Sequence, residues 1–159
     1  MDIKNLANVA AFVTKDESEI RELLAHRNSA IRHQSLAEAR LAPGASTQEH
    51  YHVKAEEIYY ITHGVGRIRI DGEVRDVFSG DAIAILPGQR HKLWNTGSDV
   101  LRLLCCCAPA YEHEDTVITE RELVKDAPPG GPGFVTSLRS FPSSPRHRES
   151  RPTQNESGS

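Results

Sequence analysis

Between Gly44 and Gly64 the chain places His50, His52 and Glu57 at spacings that few folds can use. Residues i and i+2 of a strand point to the same face, so His50 and His52 on an extended segment present two imidazoles side by side while Tyr51 points away. Glu57 lies an odd number of residues beyond His52, and an unbroken strand would put it on the opposite face. The segment Val53 to Glu56 must therefore turn and restart the pattern, after which Glu57, Tyr59 and Ile61 share a face. Such a cluster predicts a metalloprotein built on strands.

A second stretch, Gly80-Asp-Ala-Ile-Ala-Ile-Leu-Pro-Gly-Gln-Arg-His-Lys-Leu-Trp-Asn95, supplies His91 just after a Pro-Gly turn, as the candidate fourth ligand. Here the chain resembles the cupin family. The first cupin motif reads Gly, five residues, His-x-His, three or four residues, Glu, six residues, Gly, and is met by Gly44, His50, His52, Glu57 and Gly64. The second reads Gly, five residues, Pro-x-Gly, two residues, His, three residues, Asn, and is met by Gly80, Gly88, His91 and Asn95. Leu86 stands where the family has its proline, and Pro87 beside it keeps the turn rigid. Residues 65 to 79 separate the motifs, a short spacer of the kind found in compact bacterial members, and the resemblance covers about residues 35 to 112.

The resemblance implies an all-β fold, a jelly-roll (double-stranded β-helix) barrel, with His50, His52, Glu57 and His91 as ligands of one divalent transition metal. Three neutral imidazoles and a carboxylate, with no thiolate, suit Fe, Mn, Ni, Co, Cu or Zn at an open site more than a closed structural zinc site. Four protein ligands leave two octahedral positions for substrate, water or dioxygen. Glu57 is also a candidate base, and Tyr59 a candidate catalytic hydroxyl, although a core tyrosine is the commoner outcome. Gln48 and Asn95 are candidate supports for the ligands, with a strand-end hydrogen bond as the alternative for Asn95. Alternation from His91 places Trp94 outward, fit for a subunit interface or lid.

Two enzymatic uses of such a site stay open, along with one that is not enzymatic. The reading preferred from the sequence is a dioxygenase-type oxidation of a small oxygen-rich molecule, because the identifiable inward positions other than Glu57 and Tyr59 are mostly apolar. Redox-neutral isomerase, epimerase, cyclase or lyase chemistry uses the same metal as a Lewis acid. A sugar- or metabolite-binding module is the third. Fold alone does not separate them. No nucleotide or flavin motif is present, so no organic cofactor is expected.

Composition narrows the setting. A chain of 159 residues, 38% hydrophobic, supports one sizeable core. The net charge of −3 gives no general electrostatic reason to bind nucleic acid or an anionic membrane. Leu6 to Val13 lacks the flanks of a signal peptide and no apolar run reaches membrane-spanning length, which makes the expected location cytoplasmic. The consecutive Cys105, Cys106 and Cys107 face alternately if extended and make poor disulfide partners. Small core residues are the ordinary reading of them, and a cavity-lining Cys105 or Cys107 sensitive to oxidation is the sharper one. A homodimer is expected, from the resemblance and from an outer face carrying Trp94, Leu104 and Cys106.

The remaining segments are assigned by pattern. Residues 1–34 read as a lead-in packing on the barrel, with Glu19 to Ala25 open between helix and strand until the resemblance favours strand. Ser35 to Leu41 reads as an edge strand, Asp71-Gly72 as a tight hairpin turn, and Ala82 to Ile85 as a buried strand. Residues 113–125, acidic and then apolar at Val117, Ile118 and Leu123, read as a short flanking helix. Residues 126–159, rich in Pro, Gly, Ser and Arg, read as a disordered tail in which Arg146, Arg148 and Arg151 are solvated.

Overall fold

The computed structural model describes residues 1–119, which fold almost entirely into antiparallel strands. In chain order these are β1 (Phe12–Val13), β2 (Glu19–Leu24), β3 (Ser35–Leu41), β4 (His50–His52), β5 (Glu56–His63), β6 (Val65–Ile70), β7 (Glu73–Phe78), β8 (Ala82–Ile85), β9 (His91–Asn95), β10 (Leu101–Ala108) and β11 (Thr116–Ile118). One sheet runs β1-β2-β3-β10-β5-β8 and the other β11-β4-β9-β6-β7. Two sheets whose inner faces interdigitate bury one apolar core, and here it contains Ile20, Leu41, Ile61, Ile68, Val77, Leu93, Leu101 and Leu103. Consecutive strands cross repeatedly from sheet to sheet, the β4 to β5 step among them, which is the jelly-roll arrangement expected.

Local sequence explains the turns that matter. Asp71 and Gly72 sit at φ 47° and 90°, the left-handed pair a two-residue hairpin needs, and Ile70 pairs with Glu73 across it. Gly88, at φ 82°, ends the Leu86–Gln89 turn and donates its N–H to the His52 carbonyl at 2.7 Å. That bond docks the second motif's turn against the strand carrying the first.

Four sequence expectations change. Ala82–Ile85 is a strand, but it lies at the edge of its sheet with Ala82 and Ala84 exposed and only Ile85 buried, because among the described residues nothing pairs beyond it. Ser35–Leu41 is an interior strand, because β2 pairs with its free side and β1 extends the sheet further. In place of a helix beginning at residue 113, His113–Asp115 is one 3-10 turn and Thr116–Ile118 pairs with β4. The edge of β4 has open hydrogen-bonding groups, and Val117 and Ile118 suit a strand better than a helix. Trp94 does lie opposite His91 and Leu93 on β9, yet it is 2% exposed, with the Arg69 guanidinium and the Lys92 ammonium 5.2 and 5.3 Å from its ring. It offers no apolar surface to a partner. The end of the 113–125 helix and the tail over 126–159, with Arg146, Arg148 and Arg151, lie outside the described residues. Among the described residues no helix is long and apolar enough to cross a membrane.

Candidate metal centre

The four motif residues converge from both sheets. His50 and His52 come from β4, His91 from β9 directly opposite His50, and Glu57 from β5 in the facing sheet. Their ligand atoms all lie within 4.8 Å of one another, and all four residues are buried. Donor atoms gathered in so small a space would hold a single ion between them.

Hydrogen bonds orient the rings. The Nδ1–H of His50 donates to the Gln48 carbonyl at 2.8 Å and that of His91 to the Gln89 carbonyl at 3.0 Å, which turns each Nε2 lone pair inward. His91 Nε2 is buried without a hydrogen-bond partner, and it faces Glu57 Oε2 at 3.6 Å. His52 Nε2 lies 3.2 Å from the same oxygen. An orphaned imidazole nitrogen beside a carboxylate, inside an apolar barrel, is what a cation would satisfy.

The electrostatics agree. Burial first, then His91, pushes the pKa of His50 down to about 4, keeping it neutral as a ligand must be. Burial opposes ionisation of Glu57, but the hydrogen bond with His52 and the attraction of the His52 and His91 rings win and hold its carboxyl well below the usual range. His52 moves the other way, its burial outweighed by the Glu57 hydrogen bond and charge.

A cavity of about 50 Å³ opens beside the cluster. It exists because β3 turns small side chains inward: Ser35, Ala37 and Ala39 stand opposite Cys107, Cys105 and Leu103 of β10. Tyr59 is buried on its wall with its ring 5.8 Å from that of His91, and burial raises its pKa well above the ordinary phenol value. Cys105 and Cys107 both line this space, and the Cys107 thiol donates to Glu57 Oε1 at 3.4 Å. Gln48 supports His50 through its carbonyl, while its side chain turns to Glu17. Asn95 does not support the ligands: its amide bridges the Leu41 and Asp99 carbonyls and Gly97 N–H.

Several site residues escape sequence reasoning. Asp16, in the turn between β1 and β2, lines the cavity and is 8% exposed. Its Oδ1 accepts from the Thr14 and Ser18 hydroxyls at 2.5 and 2.8 Å, and the Gln48 N–H reaches its carbonyl at 2.8 Å. Tyr111 stacks edgewise on His52 at 6.1 Å, and its hydroxyl is buried without a hydrogen-bond partner. Thr116 places its hydroxyl 3.3 Å from His52 Nδ1. The only sequence signals were a polar Thr-Lys-Asp-Glu-Ser turn and a lone tyrosine after Pro109, neither with a motif spacing.

Comparison with known proteins matches this geometry. Residues 37–107 match the family described as Cupin domain, and they contain all four clustered residues. The uncharacterised protein MJ1618 of Methanocaldococcus jannaschii is 46% identical over 114 residues, spanning 70% of this chain and 90% of that one. A predicted oxalate decarboxylase from Thermotoga maritima superposes with a TM-score of 0.61 at 26% identity, covering 67% of this chain and 98% of that one. The polyketide cyclase RemF from Streptomyces resistomycificus superposes at 0.66 and 21% identity, over 77% and 88% of the two chains, and speaks for the fold alone. With the family match spanning the four clustered residues and a relative this similar along most of the chain, the protein belongs to the cupin family.

Proposed function

We propose that this cupin is a metal-dependent enzyme acting on a small oxygen-rich molecule by redox-neutral chemistry, of the isomerase, cyclase, dehydratase or lyase type. His50, His52, Glu57 and His91 would hold the ion, which when bound polarises a substrate oxygen and eases removal of a neighbouring proton. The observation that carries the reading is that Tyr111, with its buried unpartnered hydroxyl, and the Asp16 carboxylate line the same cavity as the cluster. Such chemistry needs a positioned acid and base. Asp16 is placed to take a proton, Tyr111 and the protonated Tyr59 to give or share one, and Glu57 to keep the ion's charge partly balanced.

The name of the Thermotoga relative, a predicted oxalate decarboxylase, supports small-molecule chemistry without choosing the reaction. A dioxygenase would use the same open positions and the same apolar walls. Protein loaded anaerobically with Mn(II), Fe(II) or Zn(II) and offered diketones, hydroxyketones and sugar phosphates separates the two. Turnover without oxygen, supported also by Zn(II), is the expected result. Turnover only on admitting oxygen, with Fe(II) or Mn(II) alone, would establish the dioxygenase instead, and ligand binding without turnover under any condition a binding protein.

We further infer a cytoplasmic homodimer. Leu104 and Cys106 pair with the exposed Tyr60 and Ile58 across β10 and β5, making an apolar strip on the outer sheet face, and the three cysteines are free. Light scattering should give twice the chain mass, reduced to one chain by Ile58→Lys.

A further inference from the structure

The charge balance of the cavity bears on which substrates enter it. Among the described residues lining it there is no lysine or arginine, whereas Asp16, Glu22 and Glu57 all contribute carboxylates. Glu22, on the cavity wall, is neutralised by Arg27 at 2.5 Å. Lys15, on the same turn as Asp16, is tied to the Thr116 carbonyl at 2.7 Å and does not line the space. A divalent ion at the cluster would therefore meet its two charges in Glu57 and Asp16. In an apolar barrel, where charges are weakly screened, an added anion would find no net positive charge to balance it.

The polar groups that remain are suited to a neutral guest. The Tyr111 hydroxyl is buried without a partner, and the hydroxyls of Thr14 and Ser18 converge on Asp16 around the same space. The rest of the wall includes Ile20, Leu41 and Leu103. A volume of about 50 Å³ takes only a few water-sized groups.

We propose that this cavity selects a small, neutral hydroxy-carbonyl compound over a carboxylate of the same shape. Tyr111 donates a hydrogen bond to the guest's oxygen, and Asp16 accepts from its hydroxyl and repels anions. This rests on the metal-dependent reading above. It also separates the chain from the oxalate chemistry in the name of its Thermotoga structural relative.

The test compares hydroxyacetone with glycolate, its near-isosteric anion, by calorimetric titration of Mn(II)-loaded protein at neutral pH, with metal content measured on the same sample. Hydroxyacetone should bind at least about tenfold more tightly. Tyr111→Phe should weaken hydroxyacetone by about tenfold, the effect of one buried hydrogen bond. Asp16→Asn should narrow the preference by raising glycolate affinity. Glycolate binding as tightly as hydroxyacetone to the unaltered protein, or no hydroxyacetone binding, overturns the inference without recourse to any variant. Protein that retains its ion yet prefers glycolate overturns this inference alone, whereas protein that takes up no ion overturns the metal-dependent reading with it.

Discussion

The Asp115 carboxylate accepts the backbone N–H of Ala55 at 3.0 Å, and its two oxygens also take the N–H of Lys54 at 3.0 and 3.3 Å. With Val53 N–H bound to the Asp115 carbonyl at 3.0 Å, one residue fastens the whole turn that carries the chain from β4 to β5. That turn decides whether Glu57 faces His52. Asp115→Ala should lower stability by about 1–3 kcal/mol through unsatisfied amides and weaken metal retention, with Asp115→Asn intermediate. Chemical denaturation together with metal titration checks both. Unchanged metal affinity in the alanine variant would show that the turn holds its shape unaided.

Acid should destabilise the metal-free protein chiefly through His50. Its folded pKa of about 4 lies below the ordinary 6.5, so folding favours the neutral ring. The resulting stability is complete above 6.5 and drains away as pH falls toward 4. The shift corresponds to roughly 3 kcal/mol. Glu57, with a lowered pKa, loses its contribution only at still lower pH, and His52, with a raised one, loses its contribution as pH rises. Denaturation at pH 7 and pH 4.5 should show a fall of about 2–3 kcal/mol that His50→Gln largely removes. An equal fall in the variant would assign the effect elsewhere.

Cys107 steers Glu57. Burial, then the Glu57 charge, raises its pKa, so the thiol stays protonated and its hydrogen points at Oε1, leaving Oε2 to face His52 and His91. Cys107→Val should weaken metal retention several-fold while Cys107→Ser preserves it, as read by chelator competition. Loss in both variants, with melting temperatures lowered alike, would mean that Cys107 matters only for packing.

Residues on regular strands at fixed spacing were legible from the start: His50, His52, Glu57 and His91 meet as their alternation demands. Asp71-Gly72 forms its hairpin for the same reason, since only left-handed backbone closes so short a loop. What escaped lies where tertiary pairing overrides local pattern. Thr116 to Ile118 is too short a β-branched run to announce a strand by itself and becomes one because β4 offers an edge. Asp16 and Tyr111 reach the cavity from the turn between β1 and β2 and from the segment after β10, and no periodicity relates them to the ligands. The mostly apolar interior read from the strands was therefore incomplete.

Metal content bears on the central claim most directly. Protein purified without an affinity tag and assayed by elemental analysis should hold about one transition-metal ion per chain, as four ligands around one position require. His52→Ala and His91→Ala should lose most of it while keeping a cooperative melt. Full occupancy in either variant, or no uptake of any divalent transition metal by the folded unaltered protein, would contradict the four-ligand centre.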